Sequence, residues 1–309
     1  MHDETVKALY DFYELEDKND FYPAYLYLRY LDVFLNKVLQ SLGMPTKESP
    51  YELPADIDAM IDMYIQEVSD AAPSAETSIY HAKVVKFADA MKLVSQKGDI
   101  DISVSEKVVP FKIARDIVLQ NPESVAVGRC PCRAAVENPC IPEPMEVCLF
   151  IGEPIASFLY TNNQAFRQCS QEEAMRIIEY ARDQGLVHTA WAKKELGNSF
   201  HMICNCCDCC CMGVKMWNLL EGTVPIMAPS GYVAEVSDDC AGCGTCVDDN
   251  FCHFKAITMN EEGDKAVINL DKCMGCGVCE NKCPDGAIKL RREPSKGEPL
   301  DLDELKSKS

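Results

Sequence analysis

Cysteine is the residue type in this sequence with the most distinctive chemistry. The chain has 309 residues, 19 of them cysteine: eleven lie from Cys130 to Cys211, eight from Cys240 to Cys283, and none precedes Cys130. This density is typical of secreted disulfide proteins or of metalloproteins. The first residues are acidic and no apolar segment of signal-peptide type follows them. We therefore expect a cytoplasmic chain whose reduced thiols are metal ligands.

The C-terminal cysteines form a tandem repeat. The second copy, from Cys273 to Cys283, reads C-x2-C-x2-C-x3-C-P, a spacing typical of iron–sulfur ligands. The first copy begins at Cys240 and has five residues instead of three before its fourth cysteine, Cys252, with His253 in place of the proline. Glycines beside these cysteines let the backbone wrap closely around an inorganic core. A structural zinc site is the alternative, although such sites usually combine two C-x2-C pairs.

This repeat resembles the bacterial two-[4Fe-4S] ferredoxin family over about 55 residues. The resemblance implies a ferredoxin-like fold with two [4Fe-4S] clusters that transfer single electrons at low potential between redox enzymes. It also implies that the fourth cysteine of each copy ligates the cluster of the other copy. The expected ligand sets are Cys240, Cys243, Cys246 and Cys283 for one cluster, and Cys252, Cys273, Cys276 and Cys279 for the other.

A second group of cysteines lies upstream in an unfamiliar pattern. Its dense run contains two overlapping C-x2-C registers: Cys204, Cys207 and Cys210 in one, Cys206 and Cys209 in the other. Because neighbouring side chains diverge, one stretch could serve two metal centres. We expect at least one further iron–sulfur cluster here, with zinc or a disulfide set as alternatives. The candidate ligands are Cys130, Cys132, Cys140, Cys148, Cys204, Cys206, Cys207, Cys209, Cys210 and Cys211.

Other residues near these cysteines could assist them. Arg129 and Arg133 flank the first cysteine pair and could lower thiolate pKa values, offset the charge of a cluster or clamp an anionic substrate; the alternative is surface solvation. His201 precedes the cysteine run by three residues and is a further possible ligand, whereas Cys169 is expected to be buried packing. The whole arrangement resembles multi-cluster iron–sulfur proteins of anaerobes, in which a cysteine-rich half precedes a ferredoxin module.

The elements that position these cysteines are predicted to form an α+β fold in four parts. Residues 1–110 form a helical region, and residues 111–234 form a mixed α/β, cysteine-rich, metal-binding domain with a winged-helix-like fragment. Residues 235–292 form the ferredoxin-like domain with two [4Fe-4S] clusters. Residues 293–309 are polar and are expected to be a disordered tail.

Individual elements follow from periodicity and from helix start and stop signals. The helical region should contain an aromatic-rich helix over 24–42, a second from about residue 56 and a third over 78–95. Its rings either fill a core or dock a partner, including a second copy of the chain. The middle domain should contain a helix over 111–120, a strand over 124–127, and a helix that begins at the capping box of Ser170 and precedes a strand over 186–191.

Charge and missing motifs exclude several functions. The net charge of −19 argues against binding to nucleic acids or anionic lipid, and no apolar run approaches the length that spans a bilayer. Neither a dinucleotide-binding nor a P-loop glycine motif is present. We expect an iron–sulfur electron carrier of anaerobic metabolism with a redox protein as partner. The alternatives are a reductase or redox-enzyme subunit with a substrate site at the upstream cysteines, and a non-catalytic adaptor of a redox complex.

Overall fold

The computed structural model of the chain describes residues 2–16, 20–41, 43–44, 46–47, 51–71, 80–111, 116–141, 145–220 and 226–308. It has an α+β fold, as the sequence predicts. A central sheet is covered on both faces, and a small cysteine-rich module docks beside it. The predicted domain boundary near residue 110 falls between strands of the same sheet, so helical region and middle domain share one core.

Within the described residues, the central sheet has eight strands in the order β2-β3-β4-β7-β6-β1-β8, with β5 paired to β3. Their bounds are β1 Tyr80–Val84, β2 Ile100–Ser103, β3 Asp116–Arg129, β4 Glu146–Glu153, β5 Phe166–Cys169, β6 Val187–Lys193, β7 Met202–Cys206 and β8 Met227–Ala228. The pairings are antiparallel except for β1 with β8. Along β3, Ala126 faces one core and Val125 and Val127 the other, the period of two expected for a strand covered on both faces.

One face of the sheet is covered by the N-terminal helices α1 His2–Glu16, α2 Phe21–Arg29, α3 Leu31–Ser41 and α4 Ala55–Ala71. The predicted helix over 24–42 is thus two helices. They are separated at Tyr30, whose backbone dihedral angles are not helical. Most of their rings pack within the chain: Tyr27 contacts Phe34 edge to face, and Tyr25 contacts Phe158. The aromatic residues therefore serve mainly as core.

The other helices before the cysteine-rich module are α5 Phe87–Val94, α6 Pro131–Ala135, α7 Ile155–Asn162, α8 Gln171–Asp183 and α9 Met212–Leu219. The predicted helix over 78–95 is wrong: its described residues form β1 and then α5, because β1 pairs along its length with β6. Residues 78–79 lie outside the described residues. The capping prediction is confirmed, since Ser170 Oγ accepts a hydrogen bond from the Glu173 amide at 3.2 Å and α8 and β6 follow.

The predicted helix over 111–120 is also wrong where the chain is described. Residues 116–120 begin β3, which runs on through the predicted strand over 124–127. Ile117 pairs with Ile102 and Leu119 with Ile100, so both β3 side chains are buried against β2. This tertiary pairing outweighs the local helical pattern. Residues 112–115 lie outside the described part of the chain.

The cysteine-rich module contains β9 Tyr232–Val236, α10 Thr245–Asp248, β10 Ile257–Met259, β11 Ala266–Ile268, α11 Val278–Lys282 and β12 Ile288–Arg292. Two two-stranded sheets, β9 with β12 and β10 with β11, enclose its small core. Each short helix follows a glycine with positive φ, Gly244 before α10 and Gly277 before α11. The internal repeat of the sequence is therefore repeated in the structure.

The predicted disordered tail over 293–309 differs from the structure. Residues 294–296 form a 3-10 turn, and Leu302–Lys308 form a helix, α12. Leu300 and Leu302 are buried in the core that contains α5, and Asp301 pairs with Lys92 at 2.7 Å. These leucines anchor a segment whose composition is otherwise polar. In the part of the chain that the structure describes, no helix combines the length and apolar character needed to cross a membrane.

Candidate metal centres

The first cysteine set of the module gathers around the loop that precedes α10. Burial raises the pKa of Cys246, and so do the adjacent thiols of Cys243, Cys240 and Cys283. The fourth cysteine of the second copy thus lies with the first three of the first copy. A Cβ at Gly242 would collide with the Asp264 carbonyl, so the loop closes tightly on the space between these thiols.

The second set lines a cavity on the other side of the module. Cys252, Cys273, Cys276 and Cys279 surround it together with apolar side chains. Burial raises the pKa of Cys279, and the neighbouring thiols of Cys276, Cys252 and Cys273 raise it further. Backbone amides point at two of the sulfurs: Ala234 N lies 3.4 Å from Cys273 Sγ, and Ala256 N lies 3.2 Å from Cys252 Sγ.

Both sets fit a [4Fe-4S] cluster by their donors and their backbone. Each offers four thiols, the usual ligation of such a cluster. A Cβ at Gly275, where φ is +66°, would collide with the Tyr232 carbonyl, so the residue beside the second set must be glycine. The amide donors match hydrogen bonds that stabilise reduced clusters and raise their potential. The structure therefore brings together the eight cysteines in the two groups that the family resemblance implies.

The departure of the first copy from the family pattern serves the junction with the middle domain. His253, where the second copy has proline, donates from Nε2 to the Gly185 carbonyl at 2.8 Å and pairs through Nδ1 with Asp208 at 2.9 Å. Asn250, from the insertion, donates to the same carboxylate at 3.1 Å, and Lys255 also binds it. Asn250, His253 and Lys255 thus hold the module against the middle domain.

Seven upstream cysteines line a cavity between the sheet and the N-terminal helices. This thiol cavity has a volume of about 50 Å³, several times the roughly 10–15 Å³ that one water requires. The seven are Cys130, Cys132, Cys148, Cys204, Cys206, Cys210 and Cys211. Burial raises the pKa of Cys130 and of Cys132 to about 12, so these thiols are protonated unless a metal binds. The space and the donors suit a polynuclear metal group.

Two buried cations accompany the upstream thiols. Lys193 is 3% exposed, and its Nζ donates to the Tyr27 hydroxyl at 2.5 Å. Burial lowers the pKa of Lys193 to about 8, opposed by Glu195 and by nearby thiolates. Arg133 is 1% exposed and donates from Nη2 to the Asn205 carbonyl at 3.3 Å. Such charges would offset the negative charge of thiolates that bind a metal, which is one of the roles that the sequence suggests for Arg133.

The remaining three upstream cysteines, Cys140, Cys207 and Cys209, form a compact group with Cys210, the four-thiol cage, beside the thiol cavity. Their sulfurs all lie within 4.8 Å of one another. Cys209 Sγ is 3.3 Å from Cys207 Sγ and 3.2 Å from Cys210 Sγ. Hydrogen bonds from Cys140, Cys209 and Cys210 lower the pKa of Cys207, with a further contribution from Arg133. The ten upstream thiols therefore form two adjacent groups that share Cys210.

This division differs from the two registers in the sequence. Cys204 and Cys206 belong to β7, where alternate residues share a face, and both line the thiol cavity. The chain then turns over 208–210 and directs the next thiols to the cage, before Cys211 returns to the cavity. Cys140 and Cys148 accordingly fall in different groups.

Several other residues singled out in the sequence are structural. His201 donates from Nδ1 to the Ile151 carbonyl at 2.8 Å, and His188 Nδ1 lies 2.7 Å from the Asn205 amide oxygen. Cys169 is 7% exposed and packs in a core, as predicted. The sequence analysis missed Lys193 and Asp208. The sequence gives no signal for Lys193. For Asp208 the signal is its position within the cysteine run.

The C-terminal module is of the iron–sulfur electron-transfer class. A model of the 4Fe-4S dicluster domain matches residues 239–287. Over 54 residues the chain is 44% identical to an uncharacterized ferredoxin of Methanocaldococcus jannaschii, a match that covers 17% of this chain and 81% of that protein. Through this module the chain belongs to the ferredoxin family, and the resemblance noted in the sequence is confirmed.

Two further relatives are subunits of an enzyme. Pyruvate synthase subunit PorD of Methanothermobacter marburgensis is 39% identical over 56 residues, which are 18% of this chain and 60% of the subunit. The same subunit of Thermotoga maritima is 42% identical over 52 residues, 16% of this chain and 52% of the subunit. The chain thus spans little more than half the length of these subunits. No solved structure matches the chain.

Proposed function

We propose that this chain is an electron-transfer subunit that relays single electrons between a redox enzyme and a further iron–sulfur centre in its own thiol cavity. The observation that carries the proposal is the gathering of the eight module cysteines into two four-thiol groups with glycine cradles. Bound at these groups, two [4Fe-4S] clusters would each accept and release one electron. The residues of the chain determine which cysteines ligate each cluster, which hydrogen bonds the sulfurs accept and how exposed each site is.

The placement of the two cysteine sets supports a direction of electron transfer through the molecule. Cys243 of the first set is exposed, whereas Cys276 and Cys252 of the second set pack against the core between the central sheet and the N-terminal helices. The first set is therefore the side that a partner can approach, and the second set is the side that adjoins the middle domain. Trp217 on α9, the helix that begins after Cys211, contacts Phe254 of the module edge to face.

The partner that the relatives suggest is a 2-oxoacid oxidoreductase of the pyruvate synthase kind, because two of the matching proteins are pyruvate synthase subunits. The chain has a net charge of −19, so a basic docking surface on that enzyme would complement it. In this arrangement the module accepts electrons at the first set and passes them inward. The thiol cavity, walled by apolar residues and two buried cations, is the internal terminus.

Anaerobic purification followed by iron and sulfide analysis tests the number of centres. Three [4Fe-4S] clusters require about twelve irons and about twelve sulfides per chain. Paramagnetic resonance of the reduced protein should then show a third signal that is lost in Cys132→Ser and retained in Cys169→Ser. About eight irons, with unaltered spectra in both variants, would rule out a cluster in the thiol cavity.

Electron transfer itself is tested with pyruvate synthase freed of its own PorD subunit. We expect pyruvate-dependent bleaching of the iron–sulfur absorbance of this chain, slower at high ionic strength because the docking is electrostatic. An absence of reduction by this enzyme, while a chemical reductant bleaches the same sample, would contradict the proposed partner.

A reductase is the second candidate function, and the number of thiols favours it. The cavity has seven thiols where one cubane uses four, and Cys206 Sγ lies 3.2 Å from Cys211 Sγ. A thiol pair beside a cluster could reduce a small substrate. Addition of such a substrate would then shift the paramagnetic signal that Cys132→Ser removes. If small disulfides, sulfoxides and oxyanions all leave the paramagnetic signal unchanged, the result favours the electron-carrier function over the reductase.

A further inference from the structure

The geometry of the four-thiol cage differs from that of a cluster site. The sulfurs of Cys140, Cys207, Cys209 and Cys210 all lie within 4.8 Å of one another. Around a tetrahedral zinc ion with Zn–S bonds of about 2.3 Å, the sulfurs stand about 3.8 Å apart. A cubane places several iron and sulfide atoms between its ligands and needs a wider spacing. The cage therefore has the size of a site for one ion.

The charges beside the cage support a bound ion with four thiolates. Arg133 Nη2 lies 3.4 Å from Cys207 Sγ, and the guanidinium is buried. Among the described residues, its Nε and Nη1 have no hydrogen-bond partner. A buried guanidinium whose N–H groups lack hydrogen-bond partners is stabilised by net negative charge nearby. One divalent ion with four thiolates carries two negative charges and supplies it.

The cage also connects two distant parts of the chain. Cys140 follows α6, whereas the other three thiols come from the single turn after β7. That turn carries Asp208, which lies between two of the thiols in sequence and binds Asn250, His253 and Lys255 of the module. Fixing the turn would fix the carboxylate that receives the module.

We propose that Cys140, Cys207, Cys209 and Cys210 bind a single zinc ion that holds the Asp208 turn in place for docking of the dicluster module. A closed site of four cysteines without an open position is typical of structural zinc. Cys210 also lines the thiol cavity, but the cage has four thiols of its own, so the proposal does not depend on a third iron–sulfur cluster. Its role is to fix the contact between the middle domain and the module.

Metal analysis of variants tests the assignment. The wild-type chain, purified anaerobically, should contain about one zinc per molecule. Cys140→Ser should lower zinc occupancy at least tenfold under dialysis, with iron, sulfide and paramagnetic signals unchanged. Cys169→Ser, which removes a buried thiol outside both groups, should retain the zinc. Loss of iron and sulfide in Cys140→Ser, or full retention of zinc, would overturn the proposal.

Cobalt provides a second measurement if Cys140→Ser folds poorly. The wild-type protein reloaded with Co²⁺ after chelation should show the intense ligand-field bands of a tetrahedral thiolate site, and Cys209→Ser should reduce them. Six-coordinate cobalt spectra would contradict the four-thiol assignment.

The docking role has its own readout. Removal of the zinc by a mild chelator should increase amide exchange in residues 250–255 as well as in the turn, while the paramagnetic signals of the clusters persist. Asp208→Asn should raise exchange in 250–255 with zinc still bound, and Asp239→Asn, on an exposed turn, should not. Unchanged exchange in 250–255 after zinc loss would show that the ion does not act on the junction.

Discussion

The guanidinium of Arg133 lies between the two groups of upstream thiols. Its Nη2 is 3.4 Å from Cys207 Sγ in the four-thiol cage, and the thiolate of Cys130 in the thiol cavity raises the pKa of the guanidinium against the opposing effect of burial. One buried cation thus lies close to both thiol groups. Lys193 also lines the thiol cavity.

This position predicts the effect of removing the charge. Arg133→Gln should shift the reduction potential of the cluster proposed for the thiol cavity to more negative values, on the order of tens of millivolts, because a nearby cation stabilises the more negative reduced state. Redox titration followed by paramagnetic resonance measures the shift. Arg176→Gln, on the exposed face of α8, should leave the potential unchanged. An equal potential in both variants would mean that Arg133 has no electrostatic role.

A glycine pair in the module allows a steric prediction with a matched control. Gly275 and Gly286 have similar positive φ values, +66° and +62°, but a Cβ at Gly275 meets the Tyr232 carbonyl whereas a Cβ at Gly286 meets nothing within 4 Å. Gly275→Ala should therefore displace the backbone beside the second cysteine set and lower its cluster occupancy. Gly286→Ala should bear only the backbone strain, about 1–2 kcal/mol.

Iron content and paramagnetic spin counts of the two glycine variants measure the difference. We expect Gly275→Ala to lose a substantial part of one cluster, about four irons at full loss. Equal cluster content in the two variants would show that the second set tolerates a wider loop.

The predictable part of the site is the part whose ligands are local in sequence. Cys273 and Cys276 lie in one loop and Cys279 at the start of the helix that follows it, so their spacing alone predicts that the three thiols lie together. The upstream thiols meet through strand pairing instead: β4, which carries Cys148, lies beside β7, which carries Cys204. Spacing within the run 204–211 could not predict a division that depends on where β7 ends and the turn begins.

The same reasoning applies to the fold. Helix α8 was predictable because its cap and its apolar face are local. The start of β3 was not, because its local pattern suits a helix and its pairing with β2 decides the outcome. The tail was wrongly predicted to be disordered because two leucines among polar residues anchor it to α5.

The ligand assignment in the module predicts the effect of removing a fourth cysteine. Cys283 lies with the thiols of the first set although it follows the second set in sequence. Cys283→Ala should therefore degrade the cluster of Cys240, Cys243 and Cys246 and leave the other cluster intact. Circular dichroism should show that the helices outside the module persist, because the cores on the two faces of the central sheet contain none of these four cysteines.

Paramagnetic resonance of the fully reduced protein distinguishes the outcomes. With one module cluster lost, the magnetic interaction between the two neighbouring reduced clusters of the module should disappear, and the module should contribute a single isolated signal. Both cluster signals unaltered in Cys283→Ala would refute the exchange of fourth ligands between the two copies.

The last prediction concerns stability and pH at a site remote from the cysteines. Asp89 in α5 is 1% exposed, and neither carboxylate oxygen has a hydrogen-bond partner among the described residues. Burial raises the pKa of Asp89 from 3.8 to about 6, an effect that Lys86 partly opposes. Because the folded-state pKa lies above the unfolded one, the protonated carboxyl favours folding at low pH, and this contribution is lost as the pH rises through about 6.

Asp89→Asn should therefore stabilise the folded protein at neutral pH. The shift corresponds to about 3 kcal/mol at most, and we expect about 1–3 kcal/mol because the amide is itself buried. Thermal unfolding under anaerobic conditions should show a higher midpoint for the variant at about pH 8, with an advantage that shrinks towards about pH 5.5. Asp101→Asn, at an exposed position of β2, should change the midpoint little at either pH. A pH-independent difference for Asp89→Asn would show that its carboxyl does not titrate in this range, because linkage requires the two states to bind protons differently.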